Sequence, residues 1–108
     1  AIPSYRSYVL RVNRGEAIKM LLQASICQEQ VHATRGVYDT GLCQVSSDQQ
    51  SYTLLYQPQN ISGPAFTAIA VPQGAQRSDV CGQLSVTQSG ERKISANGIS
   101  VMRCWSGR

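Results

Sequence analysis

Residues 4–34 contain no proline and one glycine, Gly15, in a run rich in Ala, Leu, Gln, Glu, Arg and Met. That composition predicts one long helix. Tyr5, Tyr8, Val9 and Val12 fall on one face at helical spacing, and Ile18, Leu22 and Ile26 continue an apolar stripe rotated by roughly a quarter turn or more. The early and late halves are therefore expected to face different partners. Pro3 suits a first turn, and Gly36, after Thr34 and Arg35, suits a C-cap. At about 1.5 Å per residue the helix would run about 45 Å, more than a compact domain of this size covers, so part of it should project.

The pattern changes after Gly36. Residues 37–50 are polar, hold Cys43 and show no clean period, which predicts a loop. Residues 51–57 are β-rich, with Tyr52, Leu54 and Tyr56 on one face. A turn-rich stretch, 58–64, leads to 65–71, where Phe66, Ala68 and Ala70 alternate with Thr67, Ile69 and Val71. Pro72 ends that strand and residues 73–79 turn the chain. Residues 80–88 predict a third strand with Leu84 and Val86 on one face, closed by Ser89 and Gly90. The remainder, 91–108, reads as mostly irregular. The expected fold is α+β, a long N-terminal helix on a small antiparallel meander. The chain is read as a single domain, 1–108: helix to about 35, loop over 36–50, meander over 51–90 and a C-terminal region over 91–108.

With 108 residues the core is modest, so covalent support matters. Cys27, Cys43, Cys81 and Cys104 include no C-x-x-C pair, and His32 is the single histidine that could join them at a metal. Disulfides and an oxidising compartment are favoured over zinc. Four cysteines allow three pairings, which sequence does not decide. Cys27 with Cys43 and Cys81 with Cys104 is preferred because each pair closes a short loop within one half of the chain, contributing about 3 kcal/mol in the chain-entropy model.

Ten Lys and Arg against six Asp and Glu give a formal charge of +4, which permits anionic partners without demanding them. The cations form two groups, Arg6, Arg11, Arg14 and Lys19 near the start and Arg77, Arg92, Lys93, Arg103 and Arg108 near the end. The chain contains no apolar run of 18 residues, and it opens on Ala1, Ile2 and Pro3 without an initiator Met or a charged leader, which reads as a processed or truncated start.

Catalytic chemistry is hard to place. His32 reads as a surface residue near a helix end. Glu16, Glu29, Asp39, Asp48, Asp79 and Glu91 are scattered and read as solvated charge, with no calcium loop or close pair. Phosphate-cradling glycine motifs and a nucleophile elbow are absent. No enzyme activity, cofactor, metal or small-molecule substrate is expected. Tyr5, Tyr8, Tyr52 and Tyr56 are read as packing residues before stacking platforms for single-stranded nucleic acid. Trp105 is expected to cover a disulfide or the sheet edge.

The run from Ala1 to Tyr5, then Tyr8-Val9 and Arg14-Gly15-Glu16-Ala17, resembles the segment that follows the membrane-embedded half of the N-terminal helix in type IV pilins. Gln28-Glu29-Gln30, Gly36-Val37-Tyr38, Phe66 through Pro72, Cys81-Gly82-Gln83-Leu84, and the stretch from Gln88 through Arg92 to Cys104-Trp105 are similar to PilE-type minor pilins, in order over nearly the whole chain. The resemblance implies a ladle-shaped fold, a C-terminal cysteine pair enclosing a D-region, and a hydrophobic first half-helix, with its peptidase site and methylated N-terminus, that is missing here. Cys27 and Cys43 are an extra pair that many relatives lack.

By function it implies a minor pilin in, or priming, type IV pili, which serve adhesion, twitching motility and DNA uptake. Its partners would be major and minor pilins and, through the missing segment, the inner membrane. It would pass from an inner-membrane and periplasmic pool to the extracellular pilus of a Gram-negative bacterium. Tyr5, Tyr8, Val9 and Val12 would form the assembly face. A DNA-binding subunit of natural transformation, using Arg77, Arg92, Lys93 and Arg103, is one alternative, and a type II secretion pseudopilin is another.

Overall fold

The computed structural model describes residues 3–44, 51–57 and 62–106. The sequence readings that fall on residues 1–2, 45–50, 58–61 and 107–108 lie outside the described residues. Helix α1 spans Pro3–Arg35 and is followed by β1 (Tyr38–Asp39), β2 (Tyr52–Gln57), β3 (Ser62–Gly63) and β4 (Thr67–Pro72). A short 3-10 helix, Gly74–Ser78, then precedes β5 (Leu84–Thr87), β6 (Arg92–Ile94) and α2 (Val101–Trp105). Strands β2, β4, β5 and β6 form one antiparallel sheet in that order, and β1 pairs with β3 in a two-stranded ribbon.

Helix α1 ends where the sequence supplies a left-handed residue. Gly36 has φ of 80° and its N–H reaches the carbonyl of His32 at 2.7 Å, closing the last turn. His32 is exposed and stacks on Tyr38, 4.5 Å between ring centroids. The 33 residues account for the 50 Å long axis of the molecule. The sheet covers the helix from about Leu10 onward, and Tyr5, Tyr8 and Val12 stand exposed beyond or beside it.

The buried face of α1 differs from the stripe read in the sequence. Leu22 and Ile26 are exposed, and the residues in the core are Ala17, Met20, Leu21, Ala24 and Gln28. Ala17 and Ala24 on this face belong to the same core cluster as Ala68 and Ala70, and small residues on both elements permit close approach of helix and sheet. Register places Tyr52, Leu54 and Tyr56 opposite Pro72, Ala70 and Ala68, and the row continues through Leu84 and Val86 to Ile94 and Arg92. Gln28 uses its amide as a strand would, donating from Nε2 to the carbonyl of Asp39 and accepting the Asp39 N–H at Oε1.

The C-terminal third departs from expectation. The strand read over 80–88 is confined to Leu84–Thr87, because residues 79–82 form a turn closed by Gly82 N–H to the carbonyl of Asp79, 3.3 Å. Gly82 is required there: φ is 65°, and a Cβ would lie 2.3 Å from the Ser95 hydroxyl. The stretch 91–108, read as irregular, holds the edge strand β6 and the single-turn helix α2. Within 37–50, read as a loop, β1 pairs with β3. Two disulfides join Cys27 to Cys43 and Cys81 to Cys104.

Asp79 overturns the expectation of solvated charge. Its carboxylate is buried and receives both Arg14 Nε at 2.8 Å and an Arg14 terminal nitrogen at 2.5 Å, a bidentate ion pair linking residues 65 apart. Hydrogen bonding to Asp79 raises the Arg14 pKa above its ordinary value, against the opposing effect of burial. Beside the pair, buried Gln76 donates to the Leu10 carbonyl at 2.8 Å and to the Tyr52 hydroxyl at 2.9 Å, and accepts from Asn13 at 3.2 Å. Burial pushes the Tyr52 hydroxyl from 10.0 up to about 12, with the Gln76 hydrogen bond opposing it.

Two outcomes follow from this junction. Asp79→Asn leaves the Arg14 charge buried without its counter-ion and should cost about 3–5 kcal/mol, measured as a lowered urea midpoint; a loss under about 1 kcal/mol would contradict the pair's role. The folded state also keeps the Tyr52 proton where the unfolded chain has released it. Stability is thus intact below about pH 10 and falls as pH rises toward about 12. Tyr52→Phe should cost about 1 kcal/mol at neutral pH and shrink that alkaline fall, and an unchanged profile would reject the assignment.

Candidate functional site

A strand alternates its side chains, so the neighbours Arg92 and Lys93 on β6 point to opposite faces of the sheet. Arg92 shares a face with Val86 and turns toward α2. Its guanidinium lies over the Trp105 indole, 5.0 Å from the ring centroid. Lys93 shares the other face with Ser85 and approaches Glu91 at 3.8 Å, an exposed pair of little energetic weight.

Helix α2 is held against this edge from both ends of its buried side. Cys104 is bonded to Cys81, and the Trp105 indole N–H donates to the Lys93 carbonyl at 3.2 Å. Ser100 caps the helix by accepting the Arg103 N–H at its hydroxyl, 3.2 Å. Trp105 thus packs on the edge strand, and Arg103 is left exposed on the outer side of α2.

Arg92, Lys93 and Arg103 are brought to one edge of the sheet. Arg77 is exposed on the 3-10 helix, a separate element two residues from the buried Asp79. Because Asp79 is paired with Arg14, its charge is withdrawn from the surface. Among the described residues from 77 to 106, four exposed cations are then accompanied by one exposed carboxylate, Glu91. The sequence alone, which reads Asp79 as solvated charge, does not show this withdrawal.

The remaining sequence candidates sit elsewhere. Tyr5, Tyr8 and Val12 are exposed on α1, Val9 is half-buried, and Arg11 lies over the Tyr8 ring at 5.7 Å. Tyr52 and Tyr56 belong to the core, where burial also raises the Tyr56 pKa and its hydroxyl meets the Cys43 carbonyl. Among the described residues no three His, Cys, Asp or Glu side chains gather as a metal site, and no helix is long and apolar enough to cross a membrane.

Sequence reasoning missed the apolar residues beside the cations. Val101 and Met102 are exposed and, with Arg92, Trp105 and Ser106, line a groove between β6 and α2. The signal available was Val101 and Met102, two adjacent apolar residues separated from the disulfide cysteine Cys104 by Arg103 alone.

Over residues 3–85 the chain matches the family described as Type IV minor pilin ComP, DNA uptake sequence receptor. A solved type IV pilin from Shewanella oneidensis has the same fold, with a TM-score of 0.62 and 26% identity over 84% of this chain and 98% of that one. No curated protein matches the chain. Arg77 lies within the matched family segment, whereas Arg92, Lys93 and Arg103 lie beyond its last residue.

Proposed function

The chain belongs to the family of the type IV minor pilin ComP, DNA uptake sequence receptor, and we propose that it is a pilus subunit that receives DNA on the basic edge formed by β6 and α2. The observation that carries this reading is the burial of Asp79 against Arg14. Exposed Arg77, Arg92, Lys93 and Arg103 then share the described residues from 77 to 106 with one carboxylate besides Asp79, that of Glu91. Cations on both faces of an edge strand can meet successive phosphates of a strand laid along that edge. The subunit would act in natural transformation, in a Gram-negative cell, after passing from the inner membrane and periplasm to the extracellular pilus.

Phosphate contact of this kind weakens steeply with salt. Arg103→Ala is expected to lower affinity for duplex DNA uniformly across sequences and to reduce the slope of log affinity against log salt by about 1. Lys93→Glu with Arg103→Glu should lower affinity by about tenfold or more at moderate salt, read by mobility shift or anisotropy. Absence of binding by the unchanged chain at low salt would end this reading.

Assembly requires a second surface. Tyr5, Tyr8 and Val12, with half-buried Val9, are proposed to face neighbouring subunits, since the first three are large apolar side chains left more than half exposed. Val12→Asp in the producing cell is expected to leave the fold's melting temperature nearly unchanged and to remove the subunit from sheared pili. Normal recovery of the variant in pili would exclude this face.

A further inference from the structure

The chain has two methionines, and the fold places them in opposite surroundings. Met20 lies in the core with 1% of its surface exposed, whereas Met102 on α2 is 81% exposed. Met102 also lines the groove between β6 and α2, a cleft with a volume of 430 Å³ that it shares with Arg92, Val101, Trp105 and Ser106. In that groove the Trp105 indole is fixed by its hydrogen bond to the Lys93 carbonyl and lies under the Arg92 guanidinium.

A thioether is the oxidisable group of an otherwise inert apolar side chain. Two electrons pass from its sulfur to a peroxide and the O–O bond breaks. One oxygen becomes the S=O of methionine sulfoxide, and the other leaves as water. The sulfur must meet the oxidant, which the surface position of Met102 allows and the core position of Met20 prevents. Two disulfides suit a chain that works in an oxidising compartment. A sulfoxide at Met20 would bury a strong acceptor in close-packed surroundings and weaken the fold. At Met102 the new oxygen keeps its water or accepts from Arg92, which lines the same groove and makes no hydrogen bond or ion pair among the described residues. Oxidation there turns an apolar wall polar and leaves the core untouched.

We propose that Met102 is a site of reversible oxidation by peroxide, through which the groove between β6 and α2 passes from an apolar to a polar form. Methionine sulfoxide reductases, one for each sulfoxide epimer, return the thioether by drawing two electrons from a dithiol and releasing the oxygen as water. The site is independent of the proposed DNA contact, since no charge is gained or lost.

Trp105 is the single tryptophan, so its emission reports on the groove directly. The whole chain is treated with a small excess of hydrogen peroxide, and its peptides are mapped by mass. Met102 should gain a single oxygen at least about tenfold faster than Met20. As it does, Trp105 emission should move to longer wavelength while the melting temperature stays nearly unchanged. Treatment with both reductases should reverse the mass gain and the emission shift together, with the two disulfides verified intact by mass. Met102→Leu, an apolar replacement at an exposed position, should keep the original emission and lose its response to peroxide. Oxidation of Met20 at a rate comparable to Met102, full oxidation of Met102 with unmoved emission, or a shift that persists in Met102→Leu would overturn the proposal. A large fall in melting temperature on oxidation, or a sulfoxide that both reductases leave in place, would overturn it equally.

Discussion

The ion pair between Arg14 and Asp79 fixes the relation between helix and sheet on which the rest of the molecule depends. Burying two charges is costly, and the arrangement survives because the geometry is bidentate and the surrounding polar groups are satisfied. Gln76 reaches the Leu10 carbonyl and the Tyr52 hydroxyl from the 3-10 helix, so α1, β2 and the corner after β4 meet in one hydrogen-bonded junction. Apolar contact between alanine-rich surfaces would allow a helix to slide. A directional pair at one turn of α1 does not.

That corner also governs the C-terminal edge. Cys81 follows Asp79 by two residues and carries α2 through Cys104, so the same short segment is bound to the helix by charge and to α2 by a covalent bond. The second disulfide, Cys27 to Cys43, ties the far end of α1 to the chain leading into β2. Each closes a loop of the length for which about 3 kcal/mol is typical, a large fraction of the stability of a domain this small. The basic edge therefore stands on a braced element, as a surface must if it is to hold a polyanion in register.

Much of the fold was legible because the signals were long and local. Thirty residues without proline specify α1, Gly36 ends it, and alternation marks β2 and β4. Failures occurred where a residue's environment depends on distant chain. Asp79 looks solvated until Arg14, 65 positions away, is brought beside it. Of the apolar stripe, Ile18 packs against the core but Leu22 and Ile26 do not, and the small residues Ala17 and Ala24 take the buried positions in the cluster that holds Ala68 and Ala70. Strand β6 is three residues long and α2 a single turn, too short to show a period. The cations of the candidate site were visible as residue types, but their division between two faces of β6, and the groove beside them, required the sheet register and the placement of Trp105.

The two proposed surfaces are kept apart by the same geometry. Exposed Tyr5 and Tyr8 belong to the part of α1 that precedes the sheet's cover and exposed Val12 lies beside it, whereas Arg92, Lys93 and Arg103 belong to the strand farthest from β2 and to the helix beyond it. Charge placed on the outer edge is screened by salt within about 10 Å at moderate ionic strength, so it has little influence on apolar packing along the projecting turns of a 50 Å molecule. Under the proposed function, such a subunit would be free to vary its edge for an anionic ligand while its helix keeps the face proposed for neighbouring subunits.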